Sequence, residues 1–146
     1  MSGLAERQAA LVAALVAGGA VPPGFDRRRL AVTRAALLRK RAGEVRNAWP
    51  LLTEALGRRW PEEFIDWAGR RPPGGGLRDG WDFARALASA ATLPAPATVE
   101  LTRYEAAWIY DGVRAPRHRR MPAIRRIPGG VLVQVGHRLC TFARHR

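Results

Sequence analysis

Proline and glycine interrupt this chain at short intervals, at Pro22-Pro23-Gly24, Trp49-Pro50, Trp60-Pro61, Pro72-Pro73-Gly74-Gly75-Gly76, Pro94-Ala95-Pro96 and Pro128-Gly129-Gly130. A proline lacks the backbone donor that continues a helix and pushes the residue before it out of the α region, while glycine readily takes the left-handed conformation that ends a helix. No regular element can run through these points. The chain must therefore fold as a succession of short elements, and no coiled-coil heptads or internal repeats cross the breaks.

Up to about residue 110 the apolar spacing between the breaks is helical. Leu4, Leu11, Val12, Leu15 and Val16 mark a first amphipathic helix, ended by Gly18-Gly19 and read as a core helix. Asp26 is placed to cap a second helix built on Leu30, Leu37, Leu38 and Val45, whose other face, Arg34, Arg39, Lys40, Arg41 and Arg46, reads as solvated surface. Pro50 opens a short helix that runs through Leu56 and is closed by Gly57. Trp60-Pro61-Glu62-Glu63 starts another, with acids in the first turn to favour the helix dipole and Phe64, Ile65, Trp67 and Ala68 on the buried side. Asp79, with Asp82 three residues on, predicts an N-terminal cap for a helix carrying Trp81, Phe83, Ala84 and Leu87. Val99, Leu101, Tyr104, Ala107 and Trp108 predict a last helix to about Tyr110. On this pattern Trp67, Trp81 and Trp108 belong to the core, while Trp49 and Trp60 mark helix starts.

Beyond Asp111 the pattern changes. Arg114 to Arg120 is a basic connector, and Pro122 restricts the following Met121 to Ile127 segment to an edge strand or a strand start. Pro128-Gly129-Gly130 is a tight turn, after which Val131, Val133 and Val135 alternate with Leu132, Gln134 and Gly136 at strand period. Leu139 to Arg144 can return as a further strand. So few strands are not stable alone and must lie on the helices or on a partner. The expected fold is mainly α, a bundle of five to six helices over residues 1–111, followed by a basic connector and a small β-hairpin or three-stranded sheet over residues 112–146.

Charge follows the same division. The 146 residues hold 25 Lys+Arg against 12 Asp+Glu, a net charge of +13. Residues 1–111 contain 16 basic and all 12 acidic side chains, whereas residues 112–146 contain nine Arg and no acid. A segment of that kind attracts phosphates, acidic peptides or an acidic protein surface. Arg117, Arg119, Arg120, Arg125 and Arg126 are its expected contact residues.

Catalytic patterns are missing. Gly74-Gly75-Gly76 lacks the Lys and Ser/Thr of a phosphate-binding loop, and Ser2 and Ser89 lie in no nucleophile elbow. Glu100 and Glu105, five residues apart, do not share a helix face, and Glu105 reads as a structural salt-bridge or hydrogen-bonding residue. His137, Cys140 and His145 offer three metal-ligand types within nine residues, but strand alternation puts His137 and Cys140 on opposite faces, and neighbouring arginines oppose a cation. No metal, no cofactor and no enzymatic activity are expected. A helix-turn-helix over residues 72–93 would have a recognition helix with Arg85 as its one base, a poor surface for reading DNA. The single cysteine suits a reducing compartment, and the apolar run from Ala9 to Ala20 is too short to span a bilayer, which favours a cytoplasmic protein.

An ordered set of motifs carries a resemblance. Ala48-Trp49-Pro50-Leu51-Leu52, Ala55-Leu56-Gly57, Phe64, Arg71-Pro72-Pro73, Asp79-Gly80-Trp81-Asp82-Phe83-Ala84-Arg85-Ala86-Leu87 and Glu100-Leu101-x-Arg103-x-Glu105-Ala106-Ala107-Trp108 resemble, in order, a helical domain family long catalogued as DNA-binding. Pro22-Pro23-Gly24-Phe25-Asp26 and Pro128-Gly129-Gly130-Val131 are similar to elements of a small actinobacterial branch of it. The better-known members are partner proteins of multinuclear non-haem iron oxidases that modify ribosomally made peptides. The resemblance thus implies a non-catalytic protein that docks on such an oxidase and helps present the precursor peptide, with nucleic-acid binding as the alternative. It assigns structural roles to Trp49, Pro50, Gly57, Phe64, Asp79, Phe83, Glu105 and Trp108.

Overall fold

The computed structural model describes residues 3–136 and 138–143. Six α-helices come first: α1 (Leu4–Val16), α2 (Arg27–Ala48), α3 (Pro50–Leu56), α4 (Trp60–Ala68), α5 (Gly76–Ser89) and α6 (Ala95–Ala107). Five strands follow: β1 (Trp108–Ile109), β2 (Arg117–His118), β3 (Ala123–Ile127), β4 (Gly130–Val135) and β5 (Arg138–Ala143). A bundle of helices followed by a small three-stranded sheet is the architecture expected from the punctuation. The helix boundaries have local causes. Asp26 Oδ1 accepts the backbone N–H groups of Arg28 and Arg29, at 2.8 and 3.3 Å, and so caps α2. Pro50 and Gly57 bracket α3, Gly57 with φ +56°.

The chain divides into two compact units, residues 1–48 with 57–79 and residues 49–56 with 80–146. In the first, α1 and α4 each pack on α2. Its aromatic centre is Trp60 stacked on Phe64, with ring centroids 4.8 Å apart and both rings buried. Its polar centre is Arg41, whose guanidinium pairs with the Asp79 carboxylate at 2.5 and 2.9 Å and also donates to the carbonyls of Ala68, Arg71 and Pro72. Asp79 Oδ1 in turn accepts the N–H of Gly74 at 2.8 Å. One buried ion pair thereby ties down the loop before α5, through the Arg71 and Pro72 carbonyls and the Gly74 N–H, while the Gly75 carbonyl accepts the backbone N–H of Asp79 at 2.9 Å.

Three sequence expectations fail in this unit. Arg41 is not on a solvated face but is 6 % exposed, because five hydrogen bonds compensate its burial. α5 begins at Gly76, before Asp79, so that residue is not an N-cap but a first-turn acid reaching back into the loop. α1 buries only Ala14 fully, leaving Leu4 and Val12 exposed, so it is not a core helix.

In the second unit α3 and α6 pack together around Trp49, Trp81 and Tyr104. Gly80 is required here: a Cβ at that position would collide with the Trp49 indole. Glu100, buried on α6, accepts the N–H groups of Leu51 (3.2 Å) and Leu52 (2.7 Å), filling donors that the first turn of α3 cannot satisfy internally. Burial pushes the Glu100 carboxyl above its ordinary value, with those two N–H groups and Arg103 acting in the opposite direction. Phe83 is buried in this unit as well.

The last helix ends at Ala107, not near Tyr110. Trp108 and Ile109 are extended and pair with His118 and Arg117, so the basic connector contains half of a short hairpin. Three consecutive β-branched or aromatic residues, Trp108-Ile109-Tyr110, explain the switch. Trp81 is buried as expected, but the other tryptophans trade places: Trp49 and Trp60 are buried, whereas Trp67 and Trp108 are half-buried.

Candidate functional site

β3, β4 and β5 form an antiparallel sheet in that order, so among the described residues β5 is an edge strand. The Pro128-Gly129 turn fixes the first register: proline suits the first central position and Gly129, at φ +81°, the second, which brings Ile127 opposite Gly130. Gly130 fixes the next, since a Cβ there would strike the Phe142 carbonyl. Residues directly opposite in such a ladder share a face. One face carries Ala123 and Gln134, then Arg125 and Leu132, continued on β5 by Leu139 and Thr141. Ala123, Leu132 and Gln134 are buried, and α6 packs against β3 and β4.

The opposite face is the unusual one. Ile124, Val133 and Cys140 form one row, Arg126, Val131 and Phe142 the next, and Val135 sits opposite Arg138. Nothing among the described residues covers its edges: Ile124 is 68 % exposed, Phe142 58 % and Val135 57 %. The face is thus an apolar patch rimmed by Arg126 and Arg138, and every residue of β5 is exposed beside it. A soluble strand pair is expected to turn its apolar residues toward the core and its polar ones outward. Here Gln134 is buried, its Oε1 without a hydrogen-bond partner among the described residues, while three valines of the same strand face away.

The expected contact residues do not form one cluster. Arg126 lies on the apolar face and Arg125 on the other, both exposed on β3. Arg117 is exposed on β2, next to His118, whose ring stacks on Trp108 with centroids 3.6 Å apart. Arg120 is exposed in the segment before β3. Arg119 is committed to the fold: its N–H donates to the Ala107 carbonyl at 2.8 Å and its Nη2 to that of Glu105 at 3.4 Å, placing a cation at the C-terminal end of α6. Glu105 forms the structural salt bridge expected of it, with Arg85 Nε at 2.9 Å. Arg85 also donates to the Tyr110 carbonyl, and the Tyr110 hydroxyl donates to Asp82 at 2.8 Å.

Among the described residues no three His, Cys, Asp or Glu side chains are grouped as metal ligands, and no helix is long and apolar enough to cross a membrane. His137 and His145 lie outside the described residues. The residues that the motif reading missed are Ile124, Val131, Val133 and Phe142, whose strand period was visible but not which face would be covered.

Comparison with known proteins adds a family. A domain described as SCO6045-like, C-terminal, matches residues 5–89. A UPF0276 protein of Streptomyces avermitilis is 48 % identical over 85 residues, which are 58 % of this chain and 18 % of that protein. The chain therefore spans under a fifth of the length of that curated relative. No solved structure matches the chain. With the match extending over more than half its length, the chain belongs to the SCO6045-like C-terminal domain family.

Proposed function

We propose that this chain is a non-catalytic docking domain that binds a multinuclear iron-dependent oxidase and helps present a ribosomally made precursor peptide to it. The observation that carries the proposal is the outer face of the β3-β4-β5 sheet, apolar in its middle, rimmed by Arg126 and Arg138 and bounded by the edge strand β5. Such a face suits a partner that is apolar at the centre of its contact and acidic around it, the usual anatomy of a protein interface. A relative in which the matched region is 18 % of a much longer polypeptide supports a domain that works against a larger body. The family resemblance carried by the ordered motifs from Trp49 to Trp108 supports an iron-dependent oxidase as that body.

The test is co-expression of the full chain with such an oxidase and its precursor peptide, read by size-exclusion chromatography and peptide mass. A complex that is lost on Phe142→Asp or Ile124→Asp, with peptide modification lost alongside, supports the proposal. No complex, together with full modification in the absence of this chain, overturns it.

A second reading, nucleic-acid binding, rests on the nine arginines and absent acids of residues 112–146. It requires duplex binding whose log K falls steeply with log salt. Failure to bind a duplex even at low salt removes it.

A further inference from the structure

We propose that the cleft between α2 and α4 in the first unit seats an amphipathic helix of a partner protein, apolar along its centre and acidic on both flanks. The cleft, about 900 Å³ and open to solvent, has α2 as one wall. There Ala31, Ala35 and Leu38 stand at i, i+4 and i+7, the spacing by which one helix packs on another. Ile65 of α4 completes the apolar floor. The two alanines let a second backbone approach closely, so the stripe is half of a helix–helix seam whose other half is not supplied by the described residues.

Charge identifies the occupant. Arg34 and Arg39 flank the stripe on α2, and Arg70 stands on the opposite wall. Among the described residues Arg39 and Arg70 have no ion-pair partner. Arg34 spends Nη2 on the Gly69 carbonyl, and its Nε, screened from water, has no acceptor among the described residues. Against these three cations stands the single carboxylate of Asp66. Basic groups on both walls call for acids on both flanks of the incoming helix. A small inorganic anion would satisfy the arginines but leave the apolar floor uncovered. A second copy of this chain, at +13, would bring like charge to the contact. The inference concerns the unit without the β-sheet and requires no oxidase, so it stands or falls separately from the docking proposal above.

The test uses the full chain and three labelled peptides of about 18 residues. The first carries leucines at i, i+3, i+4 and i+7 flanked by glutamates, the second has lysines for the glutamates, and the third has serines for the leucines. Fluorescence anisotropy should show binding of the first alone, weakened roughly tenfold or more by Arg39→Glu with Arg70→Glu and similarly by Ala31→Trp, which fills the cleft. All three positions are exposed, and circular dichroism checks that the variants remain folded. Equal binding of the first and third peptides would mean attraction by charge alone and would overturn the proposal. So would an affinity unchanged in the cleft variants, or a preference of the cleft for duplex DNA over the acidic helix in competition.

Discussion

The two faces of the C-terminal sheet are built from the same three strands, yet they obey opposite rules. The face against α6 holds Ala123, Leu132 and a buried Gln134, one small, one large and one polar residue. The outward face holds Ile124, Val131, Val133 and Phe142, more apolar than the side that is covered. Burial of a large aliphatic or aromatic side chain stabilises by about 1.5–3 kcal/mol, so a chain that leaves Ile124 and Phe142 exposed and Val131 and Val133 half-buried forgoes part of such contributions. The contrast distinguishes a face that holds the fold together from a face that is complete only when something else covers it. Substitutions on the two faces should therefore separate stability from association.

The largest expected loss of stability is on the inner face. Leu132 is 1 % exposed, and Leu132→Ala should destabilise by about 2–5 kcal/mol, read as a lower urea midpoint at unchanged slope. An effect below about 0.5 kcal/mol would mean that the sheet contributes nothing to the stability of the unit and would erase the contrast. Next comes the ladder itself. Gly130→Ala places a Cβ against the Phe142 carbonyl, a backbone atom that cannot rotate away, so β5 must shift. About 1–3 kcal/mol should be lost, with faster amide exchange confined to β4 and β5. On the outer face Phe142→Ser should change stability by no more than about 0.5 kcal/mol and raise solubility, while abolishing any complex that uses this surface. Loss of stability as large as that of Leu132→Ala would show that Phe142 is covered within the chain.

Much of this architecture was legible in the sequence because its causes are local. Asp26 caps α2, Pro50 and Gly57 bound α3, and Pro128-Gly129 turns β3 into β4, each through backbone conformations that a few neighbouring residues dictate. What was not legible depends on residues far apart in the chain. Arg41 reads as one more surface arginine of α2 until Asp79, 38 residues away, is placed beside it. Trp49 and Trp60 look like helix-start markers, and only the packing of Trp49 over Gly80 and of Trp60 on Phe64 makes them core. For the sheet, period two was plain in Val131, Val133 and Val135, but strand alternation is symmetric. Only the position of α6 determines which side is covered, and it covers the less apolar one.

The smallest expected effect lies beneath the inner face, on α6 itself. Glu100 is buried there as the acceptor for the first turn of α3, and its carboxyl is raised above the ordinary 4.5, chiefly by burial. A raised carboxyl means that the folded chain binds a proton at a pH where the unfolded chain has released it. The stability contributed by this group is then fully present below about pH 4.5 and is lost as pH climbs from there through the raised value. Glu100→Gln cannot ionise and lacks that slope. The stability of the variant relative to the natural protein should therefore rise as pH increases through the window above 4.5 and become constant beyond it, whatever the offset from replacing a carboxylate by an amide. Urea unfolding of both proteins at several pH values between about 4 and 8 measures this directly. A difference that falls with rising pH would mean that the two N–H groups of α3 outweigh burial, and that Glu100 holds α3 to α6 as a charged group and not in spite of its charge.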